Sequence, residues 1–288
     1  MKKISTIVCA ILFCASLAFG DEVEERLSTM ATEKLKASTR EMIRSAINSD
    51  DAIKMTKLML ENQFRLEHAL RAQEIVMNAR KDDLPVGPVM NKAYEGMAKQ
   101  VQDKNIVRAM ERVRSRYAVA YQHAKAITQD RSQIQLIGNT IAQGLTAGMH
   151  NQDVERIMQS FQYRVQHMTN TQAQELAAET FRAARTIARL GVSSRVATDI
   201  ICQALQYGYS AREMEIMRKS FMTHSRNTPP LSLARSYSKA IKAGKSAESL
   251  GSPSMGRASS TGRVGAPDSP SSPGGPGGPG GPGSGRHK

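Results

Sequence analysis

Ile141-Ala142-Gln143-Gly144-Leu145-Thr146-Ala147-Gly148-Met149 returns sixty residues later as Ile201-Cys202-Gln203-Ala204-Leu205-Gln206-Tyr207-Gly208-Tyr209. The match continues past the second glycine. Val154, Ile157, Ser160 and Phe161 align with Met214, Met217, Ser220 and Phe221. These positions recur every three or four residues, the period of one helix face. A glycine after such a run is a helix stop, because it takes the left-handed conformation without a Cβ clash. Each copy therefore reads as helix, glycine turn, helix.

Working outward, a third copy lies forty-eight residues earlier: Ala93-Tyr94-Glu95-Gly96-Met97, then Val101, Ile106, Ala109 and Val113. Tyr237 to Gly244 is a weaker echo, with Ala240 and Gly244 as its small pair. The repeat glycines are Gly96, Gly144, Gly148, Gly191 and Gly208. Small residues four apart allow close approach of a neighbouring helix, and packing inside the hairpin explains them better than dimerisation. Spacings of 48 and 60 residues do not suit a solenoid of one period. The expected fold is all-α: an irregular stack or bundle of duplicated helical hairpins.

Cap signals support the helices. Ser210-Ala211-Arg212-Glu213 is a capping box, and Thr171-Gln172-Ala173-Gln174 is a second candidate. Upstream, Glu22–Asn48 and Ala52–Arg80 read as two long amphipathic helices with a break near Ser49-Asp50-Asp51, paired as an antiparallel arm. Proline is missing from Asp21 to Leu84, appears at Pro85 and Pro88, and is missing again until Pro229-Pro230. Proline costs about 3 kcal/mol inside a helix, so the gaps favour helices. The division is a leader at 1–20, N-terminal helices at 21–84, a hairpin-repeat domain at 85–225 and a tail at 226–288.

The tail turns to Ser, Gly and Pro and ends in PGG triplets. It lacks the apolar surface to fold, apart from a short helix at 231–248. It is also strongly basic. The whole chain holds 40 Lys+Arg against 26 Asp+Glu. Without Lys2 and Lys3 the net charge is +12, of which Arg226 to Lys288 carry +7.

Met1-Lys2-Lys3 followed by the apolar run Ile4–Phe19 has the form of a secretory signal peptide. Small residues place the cut after Ala18 or after Gly20. The run is shorter than the roughly 20 residues of a membrane span, so no transmembrane segment is expected after cleavage. The destination expected is the periplasm or the exterior of a bacterium. Cleavage leaves Cys202 alone, read as a small buried residue, and the fold must stand without a disulfide.

No catalytic, cofactor or metal constellation emerges. The six histidines lie too far apart for helical metal-ligand pairs, and HExxH and Gly-x-Ser-x-Gly are missing. Glu67-His68, with Glu61 and Glu74, is the nearest carboxylate–imidazole group. Arg71 between the glutamates makes a salt-bridged surface the better reading. The polyanion-contact candidates are Arg108, Arg112 and Arg116, one turn apart on one helix, and Lys239, Lys242 and Lys245 in the tail.

The expected function is an exported, non-enzymatic interaction or structural module of the cell envelope. Its partner is a protein or an anionic envelope polymer, with peripheral membrane contact through the tail; nucleic acid is disfavoured. The alternative is a periplasmic ligand-binding protein or enzyme whose site gathers Glu67, His68 and Arg116 between hairpins.

Overall fold

A computed structural model describes residues 22–27 and 31–250, which fall within one compact unit. The expected signal peptide and the tail beyond residue 250 lie outside the described residues. Every regular element described is helical. After a helical turn at 22–27 come α1 (Glu33–Arg44), α2 (Ser49–Glu61), α3 (Leu66–Lys81), α4 (Val86–Ala98), α5 (Asp103–Lys125) and α6 (Arg131–Thr146). There follow α7 (Asn151–Arg164), α8 (Asn170–Arg189), α9 (Ser194–Gln206), α10 (Ala211–His224), α11 (Pro230–Lys242) and a 3₁₀ turn at Ala247–Ser249.

One kind of turn builds most of the stack. In the first hairpin Ala46 takes φ 59°, its N–H donates to Ile43 O (2.9 Å), and the Ile47 N–H reaches back to Met42 O (3.2 Å). This is a Schellman closure, which satisfies the last helix carbonyls and drives the following apolar residue inward. Gln63-Phe64 and Asp83-Leu84 repeat it, and Ile47, Phe64 and Leu84 are all buried. Gln100-Val101 has the same bonds with Val101 exposed, and Gly148, Gly191, Gly208 and Gly244 hold the same left-handed position farther along.

These turns correct the expected N-terminal arm. The helix expected over Glu22–Asn48 is instead a helical turn at 22–27 and then α1, which opens at the Thr32 cap and ends at Arg44; Ser49–Asp51 open α2 rather than break a helix, and the helix expected over Ala52–Arg80 is interrupted at 62–65. The result is a helical turn followed by three short packed helices. The cause is a left-handed residue with a side chain at Ala46 and Gln63, which leaves no glycine in the sequence to mark the stop. They also uncover a regular spacing hidden by the sequence copies: Ala46 and Asp83, like Gln63 and Gln100, stand 37 residues apart.

A left-handed residue with a Cβ costs about 1–2 kcal/mol, more than the extra chain entropy of glycine at a compatible site. Gln63→Gly and Gln100→Gly are therefore expected to stabilise the protein by about 0.5–1 kcal/mol each, read as a shift of the urea midpoint.

Packing runs between next-but-one helices. In one row α1 packs on α3, α3 on α5, α6 on α8 and α8 on α10; in the other α2 packs on α4, α7 on α9 and α9 on α11. Such two-row contacts make a stack of hairpins, not a closed bundle. The alternation fails once. α5 and α6 are consecutive yet both lie in the first row, against each other. Gly138 makes this possible, since a Cβ there would stand 2.6 Å from the Tyr121 ring.

Two apolar cores flank that junction. One runs from Val23 to Tyr121 and is rich in methionine (Met42, Met55, Met59, Met110); the other runs from Ala120 to Leu250. Tyr117 and Ile134 pack against both. α8 lies between α6 and α10, and its buried Ala177, Ala183, Ala184 and Ala188 let both neighbours come close.

The capping box of α10 forms as expected, with Ser210 and Glu213. That of α8 is Thr169 with Gln172, not Thr171 with Gln174, because the helix begins at Asn170. α7 uses a box shared between hairpins. The His150 N–H donates to Ser194 Oγ (2.9 Å), and the Ser194 hydroxyl donates to Asp153 (2.5 Å).

The segment expected to open the tail is part of the second core. The helix there runs Pro230–Lys242 rather than 231–248, ended by the turn at Gly244. Tyr237, fully buried, meets Phe221 edge-on at 5.2 Å, and Leu250 is buried too. Among the described residues no helix is long and apolar enough to cross a membrane.

Candidate functional site

The first row carries an arginine-rich face. On α8, Arg182, Arg185 and Arg189 recur at three- and four-residue steps, and Arg218 on α10 joins them across the packed pair. Arg185 donates to Gln143 Oε1 of α6 at 2.6 Å, and Arg189 reaches the same oxygen at 3.4 Å. Arg218 Nε lies 3.3 Å from Glu179, which Arg182 also pairs with from one turn away. Four guanidinium groups thus share one carboxylate and one amide oxygen.

The electrostatics show the crowding. Burial lowers the Arg185 guanidinium from its ordinary range, helped by Arg189, Arg218 and Arg182; Glu179 opposes them. Arg185 Nε is buried with no hydrogen-bond partner. Arginine is weakly hydrated for a cation and tolerates such a place, and its planar fork fits oxyanions.

The same face continues onto α5. Arg116 donates to Thr146 of α6 at 3.0 Å, and Thr146 stands one turn from Gln143. Arg112 and Arg108, both exposed, extend the line from Arg116 by one and two turns of α5. Arg114, in the same stretch of α5, faces elsewhere: it is tied to Glu111 and to Asp82 just after α3. The structure thus joins the α5 candidates to four arginines that local spacing did not associate with them.

Lys239, Lys242 and Lys245 are placed apart from this face, on and after α11. Lys239 and Lys242 line a groove of about 440 Å³ between α9 and α11, together with Arg235, Asp199, Val196 and Ile200. Lys245 is exposed in the following turn, where its carbonyl accepts from the Tyr209 hydroxyl at 2.6 Å.

Glu67, His68 and Arg116 do not form one site. His68 Nδ1 lies 2.8 Å from Asp103 Oδ2 at the start of α5, and Glu67 lies 3.4 Å from His68 Nε2. Arg116 sits thirteen residues farther along α5, about 20 Å at 1.5 Å per residue. Arg71 pairs with Glu74 at 2.8 Å. Glu61 lines a shallow groove with Arg65 and Asp103.

Asp103 instead acts as a cap from another hairpin. It accepts the Arg65 backbone N–H at the start of α3 (3.1 Å) and the Arg65 Nε–H (3.2 Å). Burial works against its ionisation, but the Arg65 and His68 hydrogen bonds and two backbone N–H groups outweigh it, so the carboxyl is held well below the usual range. A depressed carboxyl stabilises the fold above its unfolded pKa, near 4, and that stability fades as pH falls below it. Asp103→Asn is expected to lower stability at neutral pH and flatten the loss between about pH 4 and pH 2, measured by urea unfolding across pH.

Cys202 is buried, its thiol pushed up by burial, and its Sγ–H points to Arg156 O at 3.7 Å. Among the described residues no three His, Cys, Asp or Glu side chains are grouped to hold a metal ion.

Comparison of the chain with protein-family models, with curated proteins and with solved structures gives no match. The functional reading therefore rests on the arginine face itself.

Proposed function

We propose that this protein is an exported, non-enzymatic helical-repeat module of the bacterial envelope that holds an anionic partner on its first-row arginine face. The observation that carries the reading is the shared counter-charge: Arg182, Arg185, Arg189 and Arg218 compete for Glu179 and Gln143. Uncompensated cations held close on a rigid stack raise the local concentration of anions. The line Arg108, Arg112 and Arg116 lengthens the face, which suits a polymer or an extended acidic surface better than a small ligand. The basic tail supplies a second, looser contact with an anionic surface. Export is supported by the form of Met1–Gly20.

Fractionation and salt washing test this reading. The full chain is expected in the envelope fraction, released as salt rises, because such contacts are screened over about 10 Å at 0.1 M. Arg108→Gln, Arg112→Gln and Arg116→Gln together are expected to release it at lower salt. A chain retained in the cytoplasm, or a release unchanged by the triple substitution, contradicts the reading.

A further inference from the structure

The arginine face is not uniform. Along α5 its cations stand one turn apart, Arg108 and Arg112 exposed and Arg116 half-buried, as a polymer track allows. Between α8 and α10 they converge. Glu179, 13% exposed, is the carboxylate inside that convergence, held by Arg182 and Arg218. Gln143, from the third helix, turns its amide oxygen toward Arg185 and Arg189. The next acid on α10, Glu215, is taken by Lys219 at 2.6 Å. The four cations of the convergence thus hold one carboxylate directly, that of Glu179, while Glu215, paired with Lys219, also feels Arg218 and Arg182. The convergence also keeps its cations on packed helices, where the geometry is set before any ligand arrives.

We infer that Arg182, Arg185, Arg189 and Arg218 form a discrete site for a dianionic tetrahedral oxyanion, a phosphate or sulfate group. This rests on the anionic-partner reading and narrows it to a chemistry. A carboxylate brings one charge and two oxygens in a plane, enough for one guanidinium fork. A phosphate monoester brings nearly two charges and three acceptor oxygens, and a sulfate ion brings two charges on four oxygens. Either can meet several forks at once, and such charge-assisted pairs are about twice as strong as neutral hydrogen bonds. Glu179 is the resident competitor: it holds Arg182 and Arg218 in place and weakens binding of the second anion.

The test titrates the full mature chain with glycerol phosphate, sulfate and acetate at constant ionic strength, by calorimetry. Sulfate is expected to bind equally at pH 5 and pH 7. Glycerol phosphate is expected to gain about tenfold over that range, as its second proton leaves near pH 6. Acetate is expected not to bind. Arg189→Gln, at an exposed position, is expected to weaken phosphate at least threefold with the thermal midpoint unchanged, and Glu179→Gln to tighten it several-fold. Vesicles carrying phosphatidic acid form a parallel arm: binding there and to glycerol phosphate assigns a lipid headgroup, and binding to glycerol phosphate alone assigns a free or polymeric source. Acetate binding as well as sulfate, or Arg189→Gln binding phosphate as wild type does, overturns the inference. Those results leave the wider reading standing if the triple substitution on α5 still shifts envelope release.

Discussion

Phe221→Ala is expected to lower the unfolding free energy by about 3–5 kcal/mol, the range for deleting a buried aromatic ring. Phe221 is fully buried on α10, and its ring meets the edge of Tyr237 at 77°. The substitution removes the ring and strands Tyr237, whose hydroxyl is bonded to His224 (3.1 Å) and cannot swing in to refill the space. Phe161, its partner in the repeat, is also buried, on α7. Urea unfolding followed by helical circular dichroism measures the effect. A loss under about 1 kcal/mol would mean that α11 does not close the second core.

Gly138→Val is expected to cost about 3 kcal/mol or more and to loosen the junction between the two cores. A Cβ at Gly138 falls 2.6 Å and 2.7 Å from two atoms of the Tyr121 ring. That ring is 3% exposed and its hydroxyl is bonded to Asn139 at 3.1 Å, so it has little room to give way. Replacing a helical glycine with valine gains only about 0.3 kcal/mol of helix propensity, whereas overpacking costs about 1–3 kcal/mol and occasionally more. The two methyl groups of valine add to the clash that the Cβ begins. Tyr121→Leu in the same chain, by vacating the ring, is expected to return part of the loss. A double-mutant cycle measures the coupling, and additive losses would show that the two residues do not meet at this junction.

Much of the second half was legible because its turns carry glycine. Gly148, Gly191 and Gly208 mark helix ends, and each takes a positive φ. The first half hid the same turn behind Ala46, Gln63, Asp83 and Gln100. A side chain in the left-handed region is disfavoured by sterics, so no composition rule flags it. What enforces it is the pair of backbone hydrogen bonds and the burial of the next residue, as at Ile47 and Phe64. The signal available was an apolar residue at the end of each helix, Ile47 and Leu84 in one phase and Phe64 and Val101 in the other, each pair 37 residues apart. The copies matched at 48 and 60 residues obscured it, because α5, at 23 residues, and α8, at 20, are longer than the helices of the first hairpins.

The arginine face was half legible. Arg108, Arg112 and Arg116 share a helix and show their spacing directly. Arg218 and Glu179 belong to different helices, and only the close approach of α8 and α10 brings them together. The cap made by Asp103 on α3 was hidden for the same reason, since Arg65 and Asp103 lie 38 residues apart. The Ser194–Asp153 bond likewise joins two hairpins that local cap rules treat separately.

The most direct test of the anionic-partner claim is the salt dependence of binding of the mature chain to a soluble anionic polymer. Affinity is measured from 50 to about 300 mM salt for the wild type and for Arg182→Gln, Arg189→Gln and Arg218→Gln combined. Each cation that meets the polymer releases counterions, so the slope of log affinity against log salt counts contacts. The expected result is a steep wild-type slope that falls by about two to three in the triple variant, with the helical signal unchanged. An identical slope in both chains, with all binding lost when residues 251–288 are deleted, would contradict the account and move the function to the tail.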